Sequence, residues 1–152
     1  MMNILLVCDG NVTRSPIAAA FLRERLQREP GLDVSVDSAG LDTDEEVPSS
    51  KAVQVMQESG IDISQHRPKL ISEELVDRAD VILTMTPLQA ERLLQAYRGA
   101  EDKTHVLGDY IGEPQWVEDP DGAPVEAFRE TRDQLSRLTD ALVERMKRES
   151  GA

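Results

Sequence analysis

Two rhythms of apolar and polar positions alternate along this chain. Asn3 to Val7 (NILLV) is a continuous apolar run, too short for a helix and followed by Gly10 and Asn11, the pattern of a strand covered on both faces. From Ser15-Pro16 onward the period changes. Ile17 and Phe21 lie four apart, as do Ala18, Leu22 and Leu26, while arginines and glutamates occupy the other side. This spacing predicts a helix with proline in its first turn, ending near Glu29-Pro30-Gly31. Leu32 to Asp37 (LDVSVD) alternates apolar with polar, a short second strand before the turn-like Ser38-Ala39-Gly40. Beyond the acidic stretch Asp42 to Glu46, Pro48 opens a helix carrying Ala52, Val55 and Met56 and closed by Gly60. Ala79 to Met85 (ADVILTM) predicts a third strand, and Thr86-Pro87 starts a helix through Leu88, Ala90, Leu93, Leu94 and Tyr97. Thr104 to Leu107 predicts a short fourth strand, and Gly112 to Gly122 a long ordered loop around Trp116. Residues 124 to 148 form a terminal helix, because Phe128, Leu135, Leu138, Leu142 and Met146 recur at helical spacing.

Strands alternating with helices imply right-handed crossovers. The expected fold class is α/β, a single-domain three-layer α/β/α arrangement with a four-stranded parallel sheet flanked by helices on both faces. Ligands of such sheets bind beyond the carboxyl ends of the strands, which places attention on the loop after the first one. Composition agrees with one compact domain: 152 residues, 39% hydrophobic and 30% charged. The charge narrows the partners. With 29 acidic against 17 basic residues, a formal net charge of -12, the chain repels polyanions, so neither nucleic acid nor an anionic membrane surface is an expected partner. The apolar run near the start lacks a basic leader and is too short to span a bilayer, so a cytoplasmic protein is expected. A single cysteine, Cys8, excludes an internal disulfide, a paired-thiol zinc cluster and a CxxC redox couple.

That cysteine stands in VCDGNVTRSP, residues 7 to 16. A lone thiol at a strand end is ordinarily a packed core side chain, but these neighbours suit a different use. The loop from Cys8 to Arg14 can curl so that successive N–H groups face inward and hold a tetrahedral oxyanion at a helix N-terminus. Gly10 and Asn11 tolerate the left-handed backbone such a curl needs. Arg14 adds a planar fork of donors matched to phosphate oxygens. Such surroundings favour a thiolate over a thiol, and a thiolate at the base of an oxyanion pocket is a nucleophilic phosphate site. A lysine-bearing nucleotide loop and a GxGxxG fingerprint are both absent from this turn.

CxGNxxRSP after an N-terminal strand resembles the low-molecular-weight protein phosphatase family, which includes thioredoxin-coupled arsenate reductases and bacterial protein-arginine phosphatases. The resemblance implies a phosphatase acting on a phosphorylated protein or small phosphomonoester, with no metal and no cofactor. It implies Cys8 as nucleophile forming a phosphocysteine, Arg14 as phosphate clamp, and Ser15 as hydroxyl donor to the thiolate, within a phosphate-binding loop of Asp9, Gly10, Asn11, Val12, Thr13, Arg14 and Ser15. Asn11 shapes that loop, Ser38 of DSAG fixes Asn11, and His66 of ISQHRPK closes the hydrogen-bond network. The Asp-Pro pair of VEDPDG supplies Asp119 as general acid; by itself, Asp-Pro would equally mark a turn.

Some positions depart from the family pattern. Tyrosine-specific relatives follow Asp-Pro with aromatic residues that grip a phenyl ring, whereas this chain has Asp121-Gly122, and Leu41 to Val47 offers no aromatic residue either. The run FRETRDQL after Asp-Pro-x-Gly is closer to the arginine phosphatases. Those carry threonine four positions after the nucleophile, where this chain has Val12, with Thr13 one position later. Val12 places phosphotyrosine first and phosphoarginine second as the expected substrate. A phosphoprotein-binding module without turnover would need neither Cys8 nor Asp119. The arsenate-reductase relay needs further cysteines, and the second loop cysteine of many relatives is Thr13 here. The acidic run Asp42 to Glu46 reads as a solvated loop or as the wall facing substrate, and Trp116 as a lid on the core or a stacking surface at the mouth.

Overall fold

The computed structural model describes residues 1–151. β1 (Met2–Cys8), β2 (Val34–Gly40), β3 (Val81–Thr84) and β4 (Thr104–Val106) form one parallel sheet in the order β2-β1-β3-β4. The strand pattern of β1 explains its central place. Ile4, Leu6 and Cys8 enter the core on one face and Leu5 and Val7 the core on the other, so a run without polar alternation is buried twice.

The helices divide between the two faces. α1 (Arg14–Leu26), α2 (Ser50–Glu58) and α6 (Val125–Glu149) pack over the Ile4, Leu6 and Cys8 face, with Phe21, Leu22, Val55, Met56, Phe128 and Leu135 in one cluster. α3 (Glu73–Arg78) and α4 (Pro87–Ala96) cover Leu5 and Val7 through Val76 and Leu93. This is the three-layer α/β/α fold expected from the alternation of elements. The terminal helix follows its pattern closely: Phe128, Leu135, Leu138, Leu142 and Met146 are all buried. Each such side chain contributes about 1.5–3 kcal/mol by leaving water. On the surface, Arg129 and Arg132 of α6 both pair with Glu58 at the end of α2 (2.8 Å each). Among the described residues, no helix is long and apolar enough to cross a membrane.

Several boundaries differ from the sequence expectation. α1 begins at Arg14, one residue earlier than expected, and stops at Leu26 rather than at the Pro30-Gly31 pair. The second strand is shifted toward the carboxyl end: Val34 to Gly40 pairs residue by residue with Met2 to Cys8, so Ser38-Ala39-Gly40 is strand, not turn. Its last residue is held from the other side as well, because Gly40 N–H donates to Lys69 O (2.8 Å) and Ile71 N–H to Gly40 O (2.8 Å). The fourth strand ends at Val106, and Leu107 opens the short helix α5 (Leu107–Tyr110). Three short helical segments carry no readable period: α3, α5 and the 3₁₀ turn Arg98–Lys103. α3 is fixed by Ser72, whose side chain accepts Leu75 N–H (3.2 Å).

β1 and β3 are neighbours, while the connections from β1 run to β2 on one side and from β2 across to β3 on the other. The order therefore reverses beside β1, the place where open α/β sheets receive ligands. The residue at that strand's end is Cys8.

Candidate active site

Cys8 is 2% exposed, yet its sulfur does not sit in hydrocarbon alone. Asn11 N–H (3.3 Å) and Ser15 N–H (3.4 Å) point at Sγ, and Ser15 Oγ lies 3.0 Å away. The direction of the last bond follows from Asn11. Its amide nitrogen donates to Ser15 Oγ (2.8 Å) and to Ser38 Oγ (3.0 Å), while its Oδ1 accepts Lys69 N–H (3.1 Å). Ser15 Oγ thus accepts from Asn11 and has its own proton to give to the sulfur.

Asn11 is the pivot of the loop. It is the one non-glycine residue with positive φ (57°) among the described residues, a left-handed conformation that asparagine tolerates well. Fully buried, it has every polar atom of its amide satisfied by Ser15, Ser38 and Lys69, and its carbonyl accepts from His66 Nε2 (2.8 Å). The bond to a carbonyl assigns that imidazole nitrogen its proton. Gly40 explains why the loop can lie so close to β2: a Cβ there would stand 2.9 Å from Asp9 O and 3.1 Å from Asn11 Cβ. Asp42 N–H and Leu41 N–H then tie the following segment to Asp9 O (2.9 Å) and Cys8 O (3.0 Å).

Among the described residues, the main-chain N–H groups of Gly10, Val12, Thr13 and Arg14 donate to no protein group. They lead into α1, whose first turn carries no acidic side chain, so donors and helix dipole both favour an anion here. Arg14 is buried, with Nη1 donating to Val117 O (2.9 Å) and Nη2 to Asp9 Oδ2 (3.0 Å). Its remaining N–H groups are available for an oxyanion. Asp119 Oδ2 lies 3.7 Å from the same Nη2, and Asp119 Oδ1 accepts Asp121 N–H (3.0 Å). Cys8, Arg14, Ser15, Asn11, Ser38, His66 and Asp119 are therefore assembled around one loop.

Asp9 has a part in the loop that its sequence position does not reveal. Expected as part of the phosphate-binding loop, it presents a carboxylate that accepts from Arg14, from Gln89 Nε2 (3.2 Å) and from Arg92 Nη1 (3.0 Å). That side chain orients the arginine and would repel phosphate, so only its main chain suits the cradle. Gln89 is placed by a capping box at the start of α4, where it exchanges bonds with Thr86. The sequence signal for that box, Thr86-Pro87-x-Gln89, was open to reading; its reach to Asp9 was not.

The mouth outside Cys8 is lined by Asp9, Asp42, Asp44, Glu45, Asp119 and Asp121, with Val12, Val47 and Pro48 as its apolar part. The acidic run is thus a wall of the site rather than only a solvated loop. Among the described residues, no aromatic side chain lines the mouth. Trp116 is 55% exposed and lies outside the lining; its carbonyl accepts Gln134 Nε2 (2.9 Å). The Asp121 carboxyl is held above the ordinary carboxylate range by partial burial and by the charge of Asp119, against the opposing pull of Thr13 and Arg14.

His66 carries a pH signature. Half-buried, it is held below its usual value of 6.5 by burial, opposed by its bond to Asn11, with the charges of Arg23, Lys69 and Arg67 lowering it further. The unfolded chain binds this proton more readily than the folded one, so stability present above pH 6.5 is lost as pH falls below that value. His105 shifts in the same direction, through burial and Arg145. Denaturant midpoints measured at about pH 7.5 and about pH 5.5 should fall less for His66→Gln, which keeps a donor to Asn11, than for the wild type. An equal fall in both proteins would remove His66 as a source of the pH dependence.

The family model for low molecular weight phosphotyrosine protein phosphatases matches residues 3–152, and the chain belongs to that family. As a member it is a phosphatase that uses a single active-site cysteine, and the sequence contains just one. It is 36% identical over 148 residues to a protein-arginine-phosphatase of Geobacillus stearothermophilus, covering 96% of this chain and 97% of that one. It is 39% identical over 145 residues to the probable low molecular weight protein-tyrosine-phosphatase EpsP of Ralstonia nicotianae, covering 95% of each. The solved structure of the arginine phosphatase YwlE from Geobacillus stearothermophilus superposes with a TM-score of 0.90 at 36% identity, over 98% of this chain and 95% of that one.

Proposed function

We propose that this phosphatase removes phosphate from protein phosphoarginine, through a phosphocysteine on Cys8. One observation carries the substrate assignment: a mouth walled by Asp42, Asp44, Glu45 and Asp121 and, among the described residues, by no aromatic ring. A phosphoarginine brings a cationic guanidinium to that wall, where opposite charges attract, whereas a phenyl ring would find no face to stack on. This reverses the order expected from Val12 alone. The similarity to arginine phosphatases in sequence and in solved structure supports the same reading.

The reaction runs as two displacements. The Cys8 thiolate attacks phosphorus, and the bond to the leaving nitrogen breaks as Asp119 gives that nitrogen a proton. Water then attacks the phosphocysteine, Asp119 takes its proton, and phosphate leaves as the thiolate is restored. The free N–H groups of the loop and Arg14 hold the equatorial oxygens in both steps, which supplies the charge stabilisation without calling on a metal ion.

A second reading, phosphotyrosine, is favoured by Val12, an apolar side chain in the mouth beside Val47 and Pro48, and by the likeness to EpsP. A side-by-side assay on matched phosphoarginine and phosphotyrosine peptides decides between them. The wild type is expected to prefer phosphoarginine, and Val12→Thr to widen the preference by roughly tenfold, the scale of one added hydrogen bond. A wild type that releases phosphate mainly from phosphotyrosine would overturn the assignment.

A further inference from the structure

The Thr13 hydroxyl, unlike its main-chain N–H, has no part in the chemistry described so far, although the residue is buried at the entry to α1 beside Arg14. Its hydroxyl donates to Asp121 Oδ1 (3.1 Å), a contact between residues 108 positions apart. Asp121 in turn donates its N–H to Asp119 Oδ1 (3.0 Å). The other oxygen of Asp119, Oδ2, is the one turned toward Arg14.

We propose that Asp121 is a positioning residue for the general acid, latched to the phosphate-binding loop by the Thr13 hydroxyl. The proposal rests on the phosphatase reading with Asp119 as acid, and it holds for either substrate class. The latch has a simple mechanical logic. The Asp119 side chain is about half exposed, and its carboxyl must meet a leaving atom to within hydrogen-bond reach. The N–H of Asp121 restrains one carboxyl oxygen, which leaves Oδ2 as the oxygen free to carry the proton. The Asp121 side chain then anchors that N–H to the loop that binds the phosphate, so acid and phosphate share one frame. A bond from a hydroxyl to a carboxylate is stronger than one between neutral groups, and it is formed here where both partners are partly shielded from water.

The test compares five variants on two aryl phosphates, one with a good leaving group (para-nitrophenyl phosphate) and one with a poor one (phenyl phosphate). Thr13→Val and Asp121→Ala are each expected to lower kcat on phenyl phosphate by about tenfold, the scale of one charge-assisted hydrogen bond. On para-nitrophenyl phosphate each loss should be several-fold smaller than on phenyl phosphate, because its leaving group needs little protonation. Thr13→Ser, which keeps the hydroxyl, should restore the phenyl phosphate rate. Combining Thr13→Val with Asp121→Ala should cost no more than either alone, since both break the same contact.

Equal losses on the two substrates, or losses that multiply in the double variant, would overturn the latch. Asp119→Ala separates this from the underlying assignment. If it slows phenyl phosphate selectively while Thr13→Val does not, the acid stands and the latch falls; if Asp119→Ala shows no selectivity, both fall together.

Discussion

Cys8→Ser is expected to abolish turnover and to leave oxyanion binding in place. The two functions reside in different atoms. Binding draws on the N–H groups of Gly10, Val12, Thr13 and Arg14 and on the Arg14 guanidinium, none of which the substitution removes. Turnover draws on the sulfur, which receives hydrogen bonds from Asn11 N–H, Ser15 N–H and the Ser15 hydroxyl at 3.0–3.4 Å. An alcohol in that position stays protonated near neutral pH and is a far weaker nucleophile than a thiolate. Phosphate release from para-nitrophenyl phosphate should drop on the order of 10⁴-fold or more. Calorimetric titration with inorganic phosphate should still give saturable binding. A serine variant that turned over within about tenfold of the wild type would show that the nucleophile lies elsewhere.

Asp119→Ala should produce the second largest change, and its size should depend on what leaves. The carboxyl stands over the loop with Oδ2 3.7 Å from Arg14, so it can reach the atom departing from a phosphorus held by that arginine. General acid catalysis contributes about 10²- to 10⁴-fold where the leaving group is a poor one. Across a series of aryl phosphates, log kcat should fall with leaving-group basicity more steeply in the variant than in the wild type. Parallel lines for the two proteins would remove Asp119 from the proton transfer.

Most of the scaffold around these two residues was legible from local pattern. β1 reads as a strand because it is an unbroken apolar run, and α6 as a helix because its buried residues, Phe128 to Met146, keep one period over about five turns. The DSAG segment was misjudged because serine, alanine and glycine look like a turn. It extends as strand because Gly40 is needed where the Cys8 loop presses on β2. α3 and α5, with six and four residues, are too short to show any period. In the site, the opening motif was legible because a loop between strand and helix constrains its own residues, whereas Asp119, Ser38 and His66 followed only from the family resemblance; the structure places all three beside that loop. Asp9, Gln89, Arg92 and the Thr13–Asp121 pair are joined over separations of 80 to 108 positions. Contacts of that range leave no mark on local spacing.

Val117 is held through both its backbone groups: its N–H donates to Met85 O (3.0 Å) and its carbonyl accepts from Arg14 (2.9 Å). A segment stapled in this way to the end of a strand cannot swing over the pocket as a cover. Asp119, two positions on, therefore starts from a fixed point beside the loop before anything arrives. Inorganic phosphate, which meets the same N–H groups and the same arginine, is expected to compete with substrate there.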